Sequence, residues 1–246
     1  MDAERHRSMS RWIALVTLVV LWQILAWAIN RPLLPPPAVV VGRLIRELPG
    51  PLGRHLVASL LRVVVSIGLS VATAAPLGLI LGQSRRLNRL MEPFIYLLMP
   101  IPKVVLVPIV LLILGIGDVP KIIIISMILF FQILVLVRDA ANEIRPELLM
   151  SVRSLGAGRR ALFRFVYVPA GVPAILTAIR QSIGTAIAVL YVAELFATRY
   201  GLGYYIYLQG STLFDYPSMY AGVVTMSLLG FVLYASLDAL GKAWRP

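Results

Sequence analysis

Six stretches of this sequence are apolar for long enough to cross a bilayer, and that constrains the fold more than any motif does. A helix covers the hydrocarbon core with about 20 predominantly apolar residues. Runs of that kind occupy 12–29, 57–81, 93–114, 121–137, 172–196 and 219–240. Pro100, Pro102 and Pro108 interrupt the third, and each removes a backbone donor, so this span is expected to kink or break. Of 246 residues, 59% are hydrophobic and only 14% charged, too little polarity to cover a soluble domain of this size. The expectation is an all-α membrane protein with six transmembrane helices in one domain, 1–246. Ala26-Trp27-Ala28 has the small-x-small look of a signal cleavage site. The 18-residue length of the apolar run and Pro32 just after it favour a retained span.

The net charge of +12 fits either a nucleic-acid binder or a membrane protein with basic inner loops, and position decides between them. With the N-terminus inside, segments 1–11, 82–92, 138–171 and 241–246 carry fourteen Lys and Arg, against six on the opposite side. Both termini are therefore expected in the cytoplasm, and no nucleic acid is needed to explain the basicity. With no cysteine, disulfides and thiolate chemistry are excluded, and His6 and His55 stand far apart. No metal site is expected. Ser66, Ser70, Ser126 and Ser182 have no histidine at their depth, which argues against an intramembrane protease.

On the outer side, Leu33-Leu34-Pro35-Pro36-Pro37 must be extended. The segment 38–48 then reads as a short amphipathic helix, either interfacial or a plain connector. The longest inner segment, 138–171, is far longer than a connection requires. Pro146 suits the first turn of a helix through Leu155, with Leu148, Val152 and Leu155 at i, i+4 and i+7. Gly156 follows where a left-handed residue can end a helix. A second helix is expected over 157–166, with Leu162, Phe163 and Val166 apolar and Arg159, Arg160 and Arg164 polar, stopped by Pro169. Two such short helices need a surface to rest on. That surface is either the inner ends of the spans or a cytoplasmic partner.

Ser154-Leu155-Gly156-Ala157, with Val166 and Val168-Pro169 further on, resembles the cytoplasmic Glu-Ala-Ala loop of binding-protein-dependent ABC permeases. The spacing from Gly156 to Pro169 matches that pattern, whereas Met150-Ser151-Val152 stand where Glu-Ala-Ala would. Further matches in order are Leu34-Pro35-Pro36-Pro37, Ser59-Leu60-Leu61-Arg62, Pro76-Leu77-Gly78, Pro100-Ile101-Pro102-Lys103, Gly115-Ile116-Gly117, Ala193-Glu194-Leu195 and Gly201-Leu202-Gly203-Tyr204. Together they are similar to the nitrate/sulfonate/taurine branch of ABC permeases.

The resemblance implies the type I ABC importer fold and the permease subunit of an importer for a small solute such as nitrate, a sulfonate, taurine or bicarbonate. It implies ATPase subunits carrying ATP and Mg, an extracytoplasmic binding protein, a second permease copy as a homodimer, and residence in a bacterial or archaeal inner membrane. It further implies an ATPase-coupling surface on Glu147, Met150, Ser151, Val152, Leu155, Gly156, Ala157, Arg159, Arg160, Phe163 and Pro169. Glu147 would supply the acid missing from the substituted triad. The chain has three lysines and no G-x-x-x-x-G-K-[ST] loop, so no cofactor is expected on it and ATP hydrolysis must belong to another polypeptide.

Within the spans, Gln132 is a candidate for lining the path, and Gly201 and Gly203 join Glu194 as candidate path or gate residues. Glu194 must either gate or pair, with Arg180, Arg199 or backbone donors near the 201–203 turn as the expected partners. Arg62, Lys103 and Arg180 are read as snorkelling cations, none of them an anion filter. The competing reading is a secondary transporter or channel without an ATPase. The spans offer Glu194 but no series of carboxylates for a proton relay.

Overall fold

The computed structural model describes residues 2–196 and 198–243, with side chains from residue 12 to 242. Arg5, Arg7, Arg11 and Arg245, which weigh in the charge count, and His6 lie outside the described side chains.

Among the described residues every regular element is helical. The long helices are α1 (Asp2–Ile29), α3 (Pro51–Gln83), α6 (Asp118–Asn142), α9 (Val168–Leu195) and α11 (Tyr216–Ala243). Between them lie α2 (Pro37–Glu47), α4 (Arg85–Leu98), α5 (Val107–Leu114), α7 (Pro146–Ser154), α8 (Arg159–Leu162) and α10 (Leu202–Tyr207). Among the described residues five helices are long and apolar enough to cross a membrane. The pair Arg85–Leu98 and Lys103–Leu114, bent by 73°, is together long and apolar enough to make a sixth. The break falls at Pro100 and Pro102, where the backbone ladder cannot continue.

The core is α3 laid along α6, and α6 along α9. Small and hydroxyl residues make the approach possible, as they do wherever apolar lipid leaves packing as the main adhesive. Ser70 Oγ donates to the Ser126 carbonyl at 3.0 Å, and Ser126 Oγ to the Ser66 carbonyl at 3.2 Å. Lower down, a Cβ on Gly78 would meet the Leu134 carbonyl oxygen at 3.0 Å, and one on Gly82 would meet Ala141 Cβ at 2.3 Å. α1 stands largely apart. It buries Ala26 and sets the Trp22 ring 5.9 Å from that of Tyr220 on α11.

The inner elbow made of α7 and α8 departs from expectation in its second helix. The second inner helix is shorter than 157–166: α8 is a single turn, followed by a π-turn at Phe163–Tyr167 that runs directly into α9. Pro169 does not stop it. The Val168 N–H bonds back to the Phe163 carbonyl, so Pro169 falls in the first turn of α9, where a missing donor costs little. The elbow made of α7 and α8 is therefore continuous with α9, the fourth of the long helices.

Candidate functional site

At the end of the bundle where α3 and α6 begin, three elements close around one buried ion pair. His55, Ser59 and Arg62 recur at i, i+4 and i+7 on α3, which puts all three on the face turned to α9 and α10. Arg62 Nη1 donates to Glu194 Oε1 at 2.5 Å and to the Tyr200 carbonyl at 2.8 Å. Its Nε donates to Asp118 Oδ1, at the start of α6, at 2.7 Å. Glu194 is fully buried and also accepts from Ser59 Oγ at 2.8 Å and from the Gly203 N–H at 2.9 Å. The Leu202 N–H donates to Ser59 Oγ, and the Gly201 N–H to His55 Nδ1 at 3.0 Å.

Gly201 is required here twice over. Its φ of +139° disfavours a side chain, and a Cβ would sit 2.4 Å from Glu194 Cδ. Gly203 is packed as tightly, its Cβ position 2.7 Å from the Tyr191 carbonyl.

Glu194, Gly201 and Gly203 thus come together, and the turn donors expected for Glu194 are present. Its cation is Arg62, while Arg180 pairs with Asp238 at 3.4 Å. Arg62 does not snorkel: its side chain is 6% exposed and locked between two carboxylates. The signal in the sequence that could have found this knot, and was missed, is the i, i+4, i+7 spacing of His55, Ser59 and Arg62. Beside it, Arg62, Asp118, Arg199 and Tyr200 help line a cavity of about 460 Å³.

Gln132 lies elsewhere. With Lys103, Val104, Ile128, Phe131 and Val189 it lines a cavity of about 360 Å³ at the break of the bent pair. Its Nε2 donates to Thr185 Oγ1 at 3.3 Å.

The opposite end of the bundle carries the elbow. α7 buries no residue. Val152, with Leu149, packs on the core, whereas Leu148, Met150 and Leu155 are uncovered, Leu155 to 85%. Glu147, Ser151, Arg159, Arg160 and Pro169 are exposed, and Ala157 is half-buried. Gly156 has φ +84°, the left-handed end expected of it, and nothing lies within 4 Å of an added Cβ. α8 and the π-turn are anchored through buried Leu162, Val166 and Tyr167, with Phe163 against the core. Gln83 Nε2 donates to the Arg159 carbonyl at 3.0 Å, tying the elbow to the end of α3.

A family model described as the binding-protein-dependent transport system inner membrane component matches residues 74–246, which hold α4 to α11 and the whole elbow. The chain belongs to this family. As a whole it is similar to the taurine transport system permease protein TauC of Escherichia coli (strain K12), 30% identical over 94% of this chain and 86% of that one. It is also similar to the formylaminopyrimidine transport permease protein ThiX of Halalkalibacterium halodurans, 28% identical over 98% of this chain and 96% of that one. Among solved structures, an inward-facing form of the MetNI methionine ABC transporter matches with a TM-score of 0.68. That match, at 21% identity, covers 79% of this chain and 96% of the other and establishes the shared type I ABC importer fold. The ABC importer permease described here is accordingly a multi-pass transport subunit rather than a catalytic one. Its knot and its elbow stand at opposite ends of α3 and α9.

Proposed function

We propose that this permease is one half of a homodimeric importer that moves a small solute into the cell, driven by ATP hydrolysis on separate ATPase subunits. The observation that carries the reading is the elbow: Leu148 and Met150 on α7 and Leu155 at its end are uncovered, and the chain after them continues into α9. Apolar side chains at an aqueous end call for a partner, and the ATP-binding subunit is the occupant that the family implies. ATP and Mg belong on that subunit, and this chain holds no cofactor of its own.

The charge asymmetry supports an elbow and both termini in the cytoplasm of a bacterial or archaeal cell, in its inner membrane, with the arginines near anionic lipid. The knot then faces outward, where an extracytoplasmic binding protein delivers solute. Mechanically, movement of the elbow passes along α8 and the π-turn into α9, and through Glu194 and Arg62 into α3. The path is proposed to run past Gln132 between two copies related by a two-fold axis. Glu194, Gly201 and Gly203 act as the rigid frame of the outer gate. Taurine, sulfonates and related small solutes are the class that its relatives' names suggest.

Gly156→Val tests the reading. The strain is in the backbone, since the added Cβ meets no atom, and a left-handed β-branched residue costs about 1–2 kcal/mol. Membrane insertion and dimer yield are expected to be unchanged while solute-stimulated ATP hydrolysis by the complex falls severalfold. Undiminished stimulation would refute the elbow's role.

A further inference from the structure

We propose that Lys103 makes the cavity at the broken third span a binding station for the acid group of an anionic solute, such as a sulfonate or carboxylate. The proposal rests on the reading of the chain as a permease and adds which solutes it selects and through which residue.

Lys103 Nζ donates to the carbonyls of Leu98 at 2.8 Å, Met99 at 3.2 Å and Ile101 at 3.4 Å, and lies 4.5 Å from the centroid of the Phe131 ring. These partners carry partial negative charge only. Among the described residues no carboxylate lies within 4.0 Å of the ammonium. A positive charge therefore faces a cavity of about 360 Å³ with no counter-ion among the described residues. Within a span such a charge is costly unless water or an anion balances it.

The rest of the wall fits an organic anion. Ile128, Phe131, Val104 and Val189 offer apolar surface, and Gln132, having given one N–H to Thr185, keeps a second donor for an acid oxygen. The volume falls within the roughly 300–1,000 Å³ typical of small-molecule sites. The location at a helix broken in mid-span is where transport proteins place exposed backbone beside a cavity.

The same ammonium caps the carbonyl end of α4. An acid group entering the cavity competes with Leu98, Met99 and Ile101 for its hydrogens. Occupancy would thus loosen the cap at the 73° break and inform the third span that solute is present.

The chain has no cysteine, so Ile128→Cys places a unique thiol of this chain in the cavity wall. The complex would be purified into phosphatidylcholine nanodiscs, and the reaction of that thiol with uncharged methyl methanethiosulfonate followed with methanesulfonate or its neutral isostere dimethyl sulfone present. Methanesulfonate is expected to half-protect at a concentration about fivefold lower, as for unit charges in contact, roughly 4 Å apart, at the dielectric of water. Lys103→Arg keeps the difference and Lys103→Met abolishes it. If Lys103→Met does not assemble, the anion-against-isostere comparison on the unmutated lysine decides alone. Equal protection, a thiol that never reacts, a difference that survives in Lys103→Met, or protection that follows added phosphatidylglycerol instead of methanesulfonate would each overturn the proposal. ATP hydrolysis is not read in this experiment, so its failure leaves the elbow's coupling role standing, and the converse holds for Gly156→Val.

Discussion

Glu194→Ala should be among the most damaging single changes in the outer half of the bundle. It removes the carboxylate that Arg62 meets at 2.5 Å, and it strips the Gly203 N–H of its acceptor and Ser59 of the group it donates to. Arg62 is left with Asp118, whose side chain is 66% exposed and well solvated. Breaking a buried ion pair by removing one partner costs about 3–5 kcal/mol. Because Asp118 still neutralises part of the charge, the low end applies, about 3 kcal/mol. For a chain of this size each kcal/mol moves the melting temperature by about 2–4 °C, which gives a drop of about 6–12 °C. Tryptophan-fluorescence melting of the detergent-solubilised protein would read it. The double variant Arg62→Met with Glu194→Leu should lose clearly less than the sum of its single changes, since neither leaves an unpaired charge in the other's presence. A drop below about 2 °C for Glu194→Ala, or strict additivity in the cycle, would refute the claim that this knot ties α3 to α9.

Two further outcomes follow from the packing. Gly82→Leu forces α3 away from α6, because its Cβ would sit 2.3 Å from Ala141 Cβ and 2.9 Å from the Arg138 carbonyl. It should cost about 1–3 kcal/mol in a melting experiment, while Gly184→Ala, with nothing within 4 Å, serves as the neutral control. Tyr205 donates its phenol hydrogen to Glu47, and burial first, then that bond, raises its pKa above the usual tyrosine value. A raised folded pKa means stability that is complete below the unfolded value of about 10 and is lost as pH climbs through the folded one. Tyr205→Phe should therefore lower stability near neutral pH and reduce the difference from the native chain at strongly alkaline pH. A pH-independent difference would contradict the assignment.

The long apolar runs made the spans legible without a structure, because a bilayer demands length and hydropathy and little else. The break at Pro100 and Pro102 was legible for the same local reason. Partner choice was not. Glu194 needed a cation, and Arg62, at a sequence separation of 132, could be picked over Arg180 only once α3 and α9 were seen to cross there. The ending of α8 at Pro169 was misread because a π-turn shifts the hydrogen-bond register, and nothing in the local composition announces that shift. Lys103 read as a snorkelling cation, because the 73° break that turns it onto a cavity is a tertiary feature. On α7, the stripe Leu148, Val152 and Leu155 was correctly periodic but not one face of contact: Val152 meets the bundle and Leu155 is left open.

The central claim is that the open face of the elbow is covered by an ATP-hydrolysing subunit, and one labelling measurement tests it directly. A single cysteine at Leu155, the most exposed apolar position of the elbow at 85%, can be titrated with a bulky maleimide in inverted membrane vesicles. Labelling should be blocked when the ATP-binding subunit is present at stoichiometric amounts and restored once that subunit is stripped away. Full labelling with the subunit bound, or reaction only from the opposite face of the membrane, would contradict the account.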